Sequence, residues 1–288
     1  MDLRYEAPDT LQAAVALLAK ESGPARVLAG GTDVIVQMET DLIEPALLVD
    51  IKKIPEVRAI TAEGGGFRVG AAATGMEIMA HAGLCKAWPG VLDGVKLIGS
   101  IQVRGRASMG GNLCNSSPAA DSVPALIAAS AVARIVGPNG TREVPVEQIP
   151  VGPGKTSLGK GEIIVSFFLP PRPPHSGDAY QRFTPRTEMD IAVVGVGINL
   201  TLDGKGTCIA ARVALGAVAP TVLLVKPAAD ALIGTRIDDA ALDKLAAAAS
   251  AACRPIDDKR GTKEYRIKVA GVLARRTAQQ ALERARQN

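Results

Sequence analysis

Two pairs of adjacent glycines, Gly30-Gly31 and Gly110-Gly111, constrain this chain more than any other feature of its sequence. Adjacent glycines allow positive φ angles and let a ligand approach the backbone without meeting a Cβ atom. Successive main-chain N–H groups in such a turn form a concave, partly positive nest that suits a phosphate. We therefore expect two glycine loops that hold a ligand with two phosphates and sugar hydroxyls. That description fits a dinucleotide cofactor better than a metal or a peptide.

Short polar side chains surround the second glycine pair. Ser108, Asn112 and Ser117 supply donors or acceptors for phosphate and ribitol groups. Asp121 can accept a hydrogen bond from a sugar hydroxyl, as acidic residues do in other dinucleotide sites. The same residue is also placed to cap a helix that begins at Ser122, and the sequence leaves both roles open.

Composition excludes several classes of function. The chain has 288 residues, of which 47% are apolar and only 3% aromatic, so we expect two ordinary domains with aliphatic cores. A net charge of +4 gives no field that indicates nucleic-acid binding. No apolar run reaches the roughly 18–20 residues of a membrane span. The N-terminus lacks the pattern of a signal peptide, and a cytoplasmic location is predicted.

The cysteines and histidines predict no metal site on this chain. Cys85, Cys114, Cys208 and Cys253 lie too far apart for a zinc or iron–sulfur spacing, and only two histidines are present. The segment 152–156 imitates part of a phosphate-binding P-loop, but Ile149 stands where that pattern needs glycine. Nucleotide hydrolysis is therefore rejected. Any metal chemistry would belong to another chain.

Coarse secondary-structure signals organise the rest of the sequence. We expect a helix over residues 10–20 capped by Asp9, strands over 26–29 and 46–51, and a hairpin over 59–70. A helix from Ser122 to about Ala133 and a last helix from about Thr262 to Arg284 are also predicted. The stiff proline-rich segment 170–174 suggests a boundary between domains at 1–173 and 174–288.

Several separated motifs, taken in order, resemble the FAD-binding subunit of molybdenum hydroxylases. The family includes the medium subunit of aerobic carbon monoxide dehydrogenase and the flavin segment of xanthine dehydrogenases. The resemblance covers nearly the whole chain and is carried by Ala29-Gly30-Gly31-Thr32-Asp33, Ser108-Met109-Gly110-Gly111-Asn112-Leu113, Ser117-Pro118-Ala119-Ala120-Asp121 and the shorter segments 5–11, 151–156, 190–192 and 259–266.

The resemblance implies an α+β fold and FAD as the cofactor. The first domain would be a two-subdomain FAD-binding domain of the vanillyl-alcohol-oxidase (PCMH) type, followed by a smaller α+β C-terminal domain. The cofactor-binding residues that it implies are Val27, Leu28, Ala29, Gly30, Gly31, Thr32, Asp33, Val34, Thr74, Ile98, Ser108, Met109, Gly110, Gly111, Asn112, Ser117, Asp121, Ile164 and Arg182.

Different parts of the cofactor are assigned to different members of this set. The two glycine segments would surround the pyrophosphate, and Asp121 would hold the ribityl or ribose portion. Thr74 would line the cofactor, and Ile98 and Ile164 match positions beside the isoalloxazine. Arg182 falls where xanthine dehydrogenases carry a lysine near the flavin, which keeps the charge but changes the donor geometry.

The function that the resemblance implies is electron transfer. FAD on this chain would take electrons from a partner subunit with two [2Fe–2S] clusters, after a molybdopterin-containing large subunit has oxidised the substrate. The electrons would pass to NAD, a quinone or oxygen, within a heterohexamer built as a dimer of heterotrimers. No catalytic acid or base is predicted on this chain. Two alternatives stay open: a free-standing flavin-dependent oxidase of the same fold superfamily, and a nucleotide-binding assembly protein without redox activity.

Overall fold

The first unit of the fold is a three-stranded parallel sheet with two helices. The computed structural model describes residues 3–288. The parallel strands lie in the order β1-β3-β2, so the chain crosses from the edge strand β1 to the far edge and returns to the middle. The elements of this unit are β1 (Arg4–Glu6), α1 (Leu11–Lys20), β2 (Ala25–Leu28), α2 (Val34–Glu39) and β3 (Leu47–Asp50).

Helix α1 buries its apolar stripe against the sheet, with Leu11 and Leu18 both inside the core. The expected cap at Asp9 is wrong. Thr10 has the extended backbone of an N-cap, and its side chain accepts a hydrogen bond from the N–H of Ala13 at 3.2 Å. A cap must lie directly before the first helical residue, so Asp9 is one residue too early.

The second unit is a five-stranded antiparallel sheet with six short helices in the connections. The strands lie in the order β4-β5-β10-β6-β7, and the predicted hairpin over 59–70 is the pair β4 and β5. The strands are β4 (Ile60–Glu63), β5 (Gly66–Gly70), β6 (Val132–Gly137), β7 (Gly140–Pro145) and β10 (Ile163–Leu169), with a small separate pair β8 (Pro150–Gly152) and β9 (Lys155–Thr156). The helices are α3 (Gly75–Ala80), α4 (Ala82–Ala87), α5 (Pro89–Val95), α6 (Ile101–Arg104), α7 (Met109–Cys114) and α8 (Ser122–Ala128).

Two expectations fail in this unit. The helix from Ser122 ends at Ala128 rather than near Ala133, because the chain turns back into β6 after only three residues. The second glycine pair does not lie in a loop but in the first turn of α7. The first and second units share a core, since Ile163 and Val165 of β10 pack into the apolar cluster beneath α1.

The third unit is a four-stranded antiparallel sheet covered by helices. Its strands lie in the order β11-β12-β13-β14. The predicted last helix is present and extends to Gln287, with Thr262 as its cap. The elements are β11 (Ser176–Phe183), β12 (Val194–Leu202), β13 (Cys208–Gly216), β14 (Leu223–Leu224), α9 (Lys226–Asp230), α10 (Asp239–Ala252) and α11 (Lys263–Gln287).

The third unit packs closely on α5 and α8 of the second. At position 197 a Cβ would lie 2.5 Å from the carbonyl oxygen of Pro124, so only glycine lets β12 reach α8. Arg284 of α11 pairs with Asp93 of α5 at 2.6 Å. The mixture of parallel and antiparallel sheets with helices agrees with the α+β expectation. The boundary at 173/174 stays a prediction; β10 ends before it and β11 begins after it.

Within residues 3–288, no helix combines the length and the apolar character that crossing a bilayer requires.

Candidate functional site

A deep cleft of about 950 Å³ separates the first unit from the second. One wall follows the turn between β2 and α2, and the other contains the first turn of α7 and the start of β10. A cleft of this size lies at the upper end of the range that small-molecule and cofactor sites occupy. The cleft is therefore the candidate site.

The first glycine pair forms an open nest in this cleft. Within the described residues, the N–H groups of Gly30, Gly31, Thr32 and Asp33 have no acceptor at hydrogen-bonding distance. Gly31 has φ +79°, a conformation that side chains other than glycine rarely adopt. Neighbouring unpaired donors on a turn are suited to an anion such as a phosphate. The backbone at the first glycine pair therefore has the geometry that the predicted phosphate nest requires.

Glycine is needed at position 30 for packing within the protein. A Cβ at this position would lie 2.0 Å from the carbonyl oxygen of Arg106. The backbone of the first unit touches the backbone of the second here, so Gly30 closes the floor of the cleft.

The second glycine pair does not form a nest, and that expectation is wrong. The N–H of Gly110 donates to the carbonyl of Ala71 at 3.0 Å, and the N–H of Gly111 donates to Oγ of Ser108 at 3.1 Å. Gly110 is required because a Cβ there would lie 2.5 Å from the oxygen of Ala71. At Gly111 a Cβ would meet only Oγ of Ser108, at 3.4 Å, so the absent side chain leaves room in the cleft.

The cleft also contains an apolar region. Ile98 and Ile164 line it and are 9% and 4% exposed. Ala71 and Ala107 lie in the same lining. A flat, largely apolar ring system would find van der Waals contacts here without losing hydrogen bonds.

A polar bridge crosses the cleft from α2 to the end of α7. Asn115 donates from Nδ2 to Oδ1 of Asp33 at 3.1 Å, and Gln37 donates from Nε2 to Oδ1 of Asn115 at 3.0 Å. Burial raises the pKa of Asp33. The sequence prediction missed Asn115 and Gln37, although Asn115 stands between the motif segments 108–113 and 117–121 and Gln37 lies one helical turn after Asp33.

Most predicted site residues line the cleft, whereas six do not. Leu28 and Met109 are buried in the cores behind it. Thr74 forms a capping box with Glu77 at the start of α3, and Oγ of Ser117 accepts from the N–H of Ala119. The remaining two are Asp121 and Arg182. The predicted residues in the lining are Val27, Ala29, Gly30, Gly31, Thr32, Asp33, Val34, Ile98, Ser108, Gly110, Gly111, Asn112 and Ile164.

Asp121 and Arg182 meet each other at the junction with the third unit. Arg182 donates from Nη1 to Oδ2 of Asp121 at 2.6 Å, and the hydroxyl of Tyr180 donates to Oδ1 at 2.9 Å. Burial raises the pKa of Asp121 to about 6, against the opposing effects of Arg182 and Tyr180. The side chain does not cap α8, so that alternative is wrong. Arg182 also donates to the carbonyl of Leu97 at 2.9 Å, which ties this pair to the residue before Ile98.

The prediction missed two further parts of the lining because neither carries a glycine pair. One lies before β2 and after α2, and the other is the loop that leads into β10. The first part comprises Ser22, Gly23, Pro24, Ala25, Arg26, Leu42 and Ile43, and the second comprises Thr156, Leu158, Gly159, Lys160, Gly161, Glu162 and Ile163. Cys114, at the end of α7, also lines the cleft.

Two family models match the chain. Residues 1–172 match the FAD binding domain in molybdopterin dehydrogenase, and residues 179–281 match the CO dehydrogenase flavoprotein C-terminal domain. The order of the two matches is the order that the sequence motifs predicted.

Two relatives match this chain over nearly their full length. The carbon monoxide dehydrogenase medium chain of Afipia carboxidovorans is 36% identical over 283 residues, which is 98% of this chain and 97% of that one. The putative xanthine dehydrogenase FAD-binding subunit of Escherichia coli K12 is 31% identical, over 98% of this chain and 96% of that one.

Solved structures agree with these relatives. A chain of the crystal structure of the Cu,Mo-CO dehydrogenase in its cyanide-inactivated form superposes with a TM-score of 0.94 at 35% identity, covering 98% of both chains. A chain of quinoline 2-oxidoreductase from Pseudomonas putida 86 superposes with a TM-score of 0.91 at 27% identity, covering 99% of this chain and 98% of that one. The predicted fold and the FAD cofactor are confirmed, and the chain belongs to the family of FAD-binding oxidoreductase subunits of the molybdenum hydroxylases.

Proposed function

We propose that FAD lies in the cleft between the first and second units and that this chain carries electrons from an iron–sulfur partner to a terminal acceptor. One observation carries the proposal: the run of unpaired backbone N–H groups from Gly30 to Asp33 opens into a large cleft. Such a nest binds negative charge through the main chain, and a pyrophosphate is the negative part of FAD.

Other residues of the cleft lining would contact other parts of FAD. Gly111 leaves the space beside the nest empty, and the bridge from Asp33 to Asn115 offers polar atoms to sugar hydroxyls. Ile98 and Ile164 would hold the flat ring system against the floor. FAD, when bound, supplies the redox chemistry; the residues of this chain position it and set the electrostatics around it.

The partners and the acceptor belong to the same proposal. A subunit with [2Fe–2S] clusters would supply electrons, and a large molybdopterin-containing subunit would oxidise the organic substrate. A dimer of heterotrimers is the assembly we infer, with NAD, a quinone or oxygen as the final acceptor. All four cysteines are free, which supports a reducing compartment such as the cytoplasm.

The test is binding of FAD to the purified full chain, followed by its visible absorption and by the ratio of FAD to protein. Gly111→Asp places a carboxylate beside the nest, where it repels the pyrophosphate. We expect the affinity for FAD to fall by about tenfold to a hundredfold. Gly111→Ala is the matched control, because its Cβ fits at 3.4 Å from Ser108. We expect this variant to bind FAD within a fewfold of the unchanged protein.

If both variants bind FAD equally well, the pyrophosphate does not lie beside Gly111. A chain that takes up no FAD, alone or expressed with its partner subunits, would contradict the proposal as a whole. Thermal unfolding of the FAD-free variants shows whether a loss of binding reflects a loss of folding.

A further inference from the structure

Arg104, the last residue of α6, is a buried cation without a counter-charge. The residue is 6% exposed. A guanidinium keeps its charge at any pH that proteins tolerate. Burying a charge is costly unless another charge or a full set of hydrogen bonds compensates it.

The hydrogen bonds of Arg104 are few and long. Nη1 donates to the carbonyl oxygens of Ile98 and Gly99, each at 3.4 Å. Nε is buried without a hydrogen-bond partner. Within residues 3–288, no carboxylate oxygen lies within 4 Å of this guanidinium, so no ion pair offsets its charge.

Other buried arginine side chains are paired, which sets Arg104 apart. Arg182 pairs with Asp121 at 2.6 Å, and Arg266 pairs with Asp258 at 2.7 Å. Both of those arginines belong to the third unit, Arg182 in β11 and Arg266 in α11. Arg104 lies elsewhere, and one of the two carbonyls that it contacts belongs to Ile98, which lines the apolar region of the cleft.

The position of Arg104 brings its charge close to that region. Ile98 lines the cleft, and its carbonyl oxygen accepts a hydrogen bond from the guanidinium. Arg104 is only 6% exposed, so little water reaches its side chain. Charges in such surroundings act over longer distances than charges in water, because the local dielectric constant is low.

We propose that Arg104 is a positioning residue whose charge also raises the reduction potential of the FAD in the cleft. The inference rests on the proposed function, since it needs FAD beside Ile98. Reduction adds negative charge to the flavin ring, so a nearby fixed positive charge stabilises the reduced form more than the oxidised form. The two carbonyl contacts keep Ile98 in place against the ring.

The experiment is a redox titration of the full FAD-loaded chain, with a reference dye that reports the midpoint potential. Arg104→Met and Arg104→Gln remove the charge, and Arg104→Lys keeps it. For the two neutral variants we expect the equilibrium constant for two-electron reduction to fall roughly tenfold, which is about 30 mV. Arg104→Lys should restore most of the potential.

Arg106→Gln is the matched control. Arg106 is exposed and lies two residues along the same segment, so water and salt screen its charge. Its loss should leave the potential unchanged. The ratio of FAD to protein and the thermal midpoint are recorded for every variant, so that a weakened fold is recognised separately.

Each outcome decides a different point. An unchanged potential in Arg104→Met and Arg104→Gln overturns the inference. An equal fall in all three variants, lysine included, also overturns it, because geometry rather than charge would then be responsible. If the unchanged chain binds no FAD at all, the proposed function itself fails before this test begins.

Discussion

At position 30, the missing side chain makes room for the protein backbone, whereas at position 111 it leaves open space in the cleft. A Cβ on Gly30 would overlap the backbone of Arg106 at 2.0 Å, and a main-chain atom cannot turn away as a side chain does. A Cβ on Gly111 would lie at an ordinary contact distance. The two residues therefore fail in different ways when they are replaced.

We predict that Gly30→Ala destabilises the fold by about 1–3 kcal/mol, the usual result of forcing atoms into a packed interior. Chemical denaturation of the FAD-free chain measures the change. Gly111→Ala provides the comparison, and its free energy of unfolding should be equal to or above that of the unchanged chain. Equal stability of the two alanine variants would mean that the backbones of the two units can separate at this point without cost.

The sequence distinguishes poorly between glycines of these two kinds. It located both pairs correctly and predicted that the first would expose its N–H groups. It offered no sign that Arg106 or Ala71 would come within contact distance, because those approaches depend on how the first and second units pack. Asp121 illustrates the same limit: its partners, Tyr180 and Arg182, lie about sixty residues away in the chain.

Among the helices, α7 explains why sequence patterns failed at the second pair. Two glycines lower helix propensity by about 1 kcal/mol each, so a loop is the natural prediction. Tertiary packing decides otherwise, because the N–H of Gly110 bonds to Ala71 and Ser108 caps the turn. Long helices with a clear apolar stripe, such as α1 and α11, were predicted well because their burial repeats with the helical period.

The start of α1 offers a direct test of capping. We predict that Thr10→Ala lowers the free energy of unfolding by about 1 kcal/mol, because the N–H of Ala13 loses its acceptor. Asp9→Ala, one residue earlier, should change stability by less than about 0.5 kcal/mol. Thermal or denaturant unfolding of both variants decides the matter. A larger effect from Asp9→Ala would restore the cap that the sequence first suggested.

For the molecule as a whole, the junction between the second and third units depends on buried carboxylates. Asp121 pairs with Arg182, and Asp178 accepts from Arg172 at 3.0 Å and from the N–H of Gly90 at 2.8 Å. Burial raises the pKa of each carboxyl to about 6. The folded protein therefore takes up protons at these groups at a pH where the unfolded chain, with pKa values near 4, has already released them.

This linkage predicts how stability changes with pH. Because the folded pKa of Asp121 lies above its unfolded value, its contribution to stability is fully present below about pH 4 and is lost as the pH rises through about 6. Asp121→Asn removes the contribution. The stability of the unchanged chain relative to this variant should rise as the pH falls from 7 towards 4, by up to about 3 kcal/mol.

Thermal midpoints measured at several pH values test the sign. Asp258→Asn is the control with the opposite direction, because hydrogen bonds from the backbone of Arg260 and then from Arg266 lower the pKa of Asp258. The contribution of Asp258 to stability is lost as the pH falls. The difference in thermal midpoint between the unchanged chain and Asp258→Asn should therefore become smaller in acid, not larger. A pH-independent difference in stability between the unchanged chain and Asp121→Asn would show that folding does not raise the pKa of Asp121.

The nest at residues 30–33 has a consequence for how this family can diverge. Its donors belong to the main chain, so almost any change of side chain leaves them in place as long as Gly31 keeps its positive φ and Gly30 keeps its contact with Arg106. Under the proposed function, a sequence can then change at most positions and still bind the same phosphates. The proposed ring region, lined by Ile98 and Ile164, depends on side chains instead, so substitutions there can change the surroundings of the flavin without altering the nest.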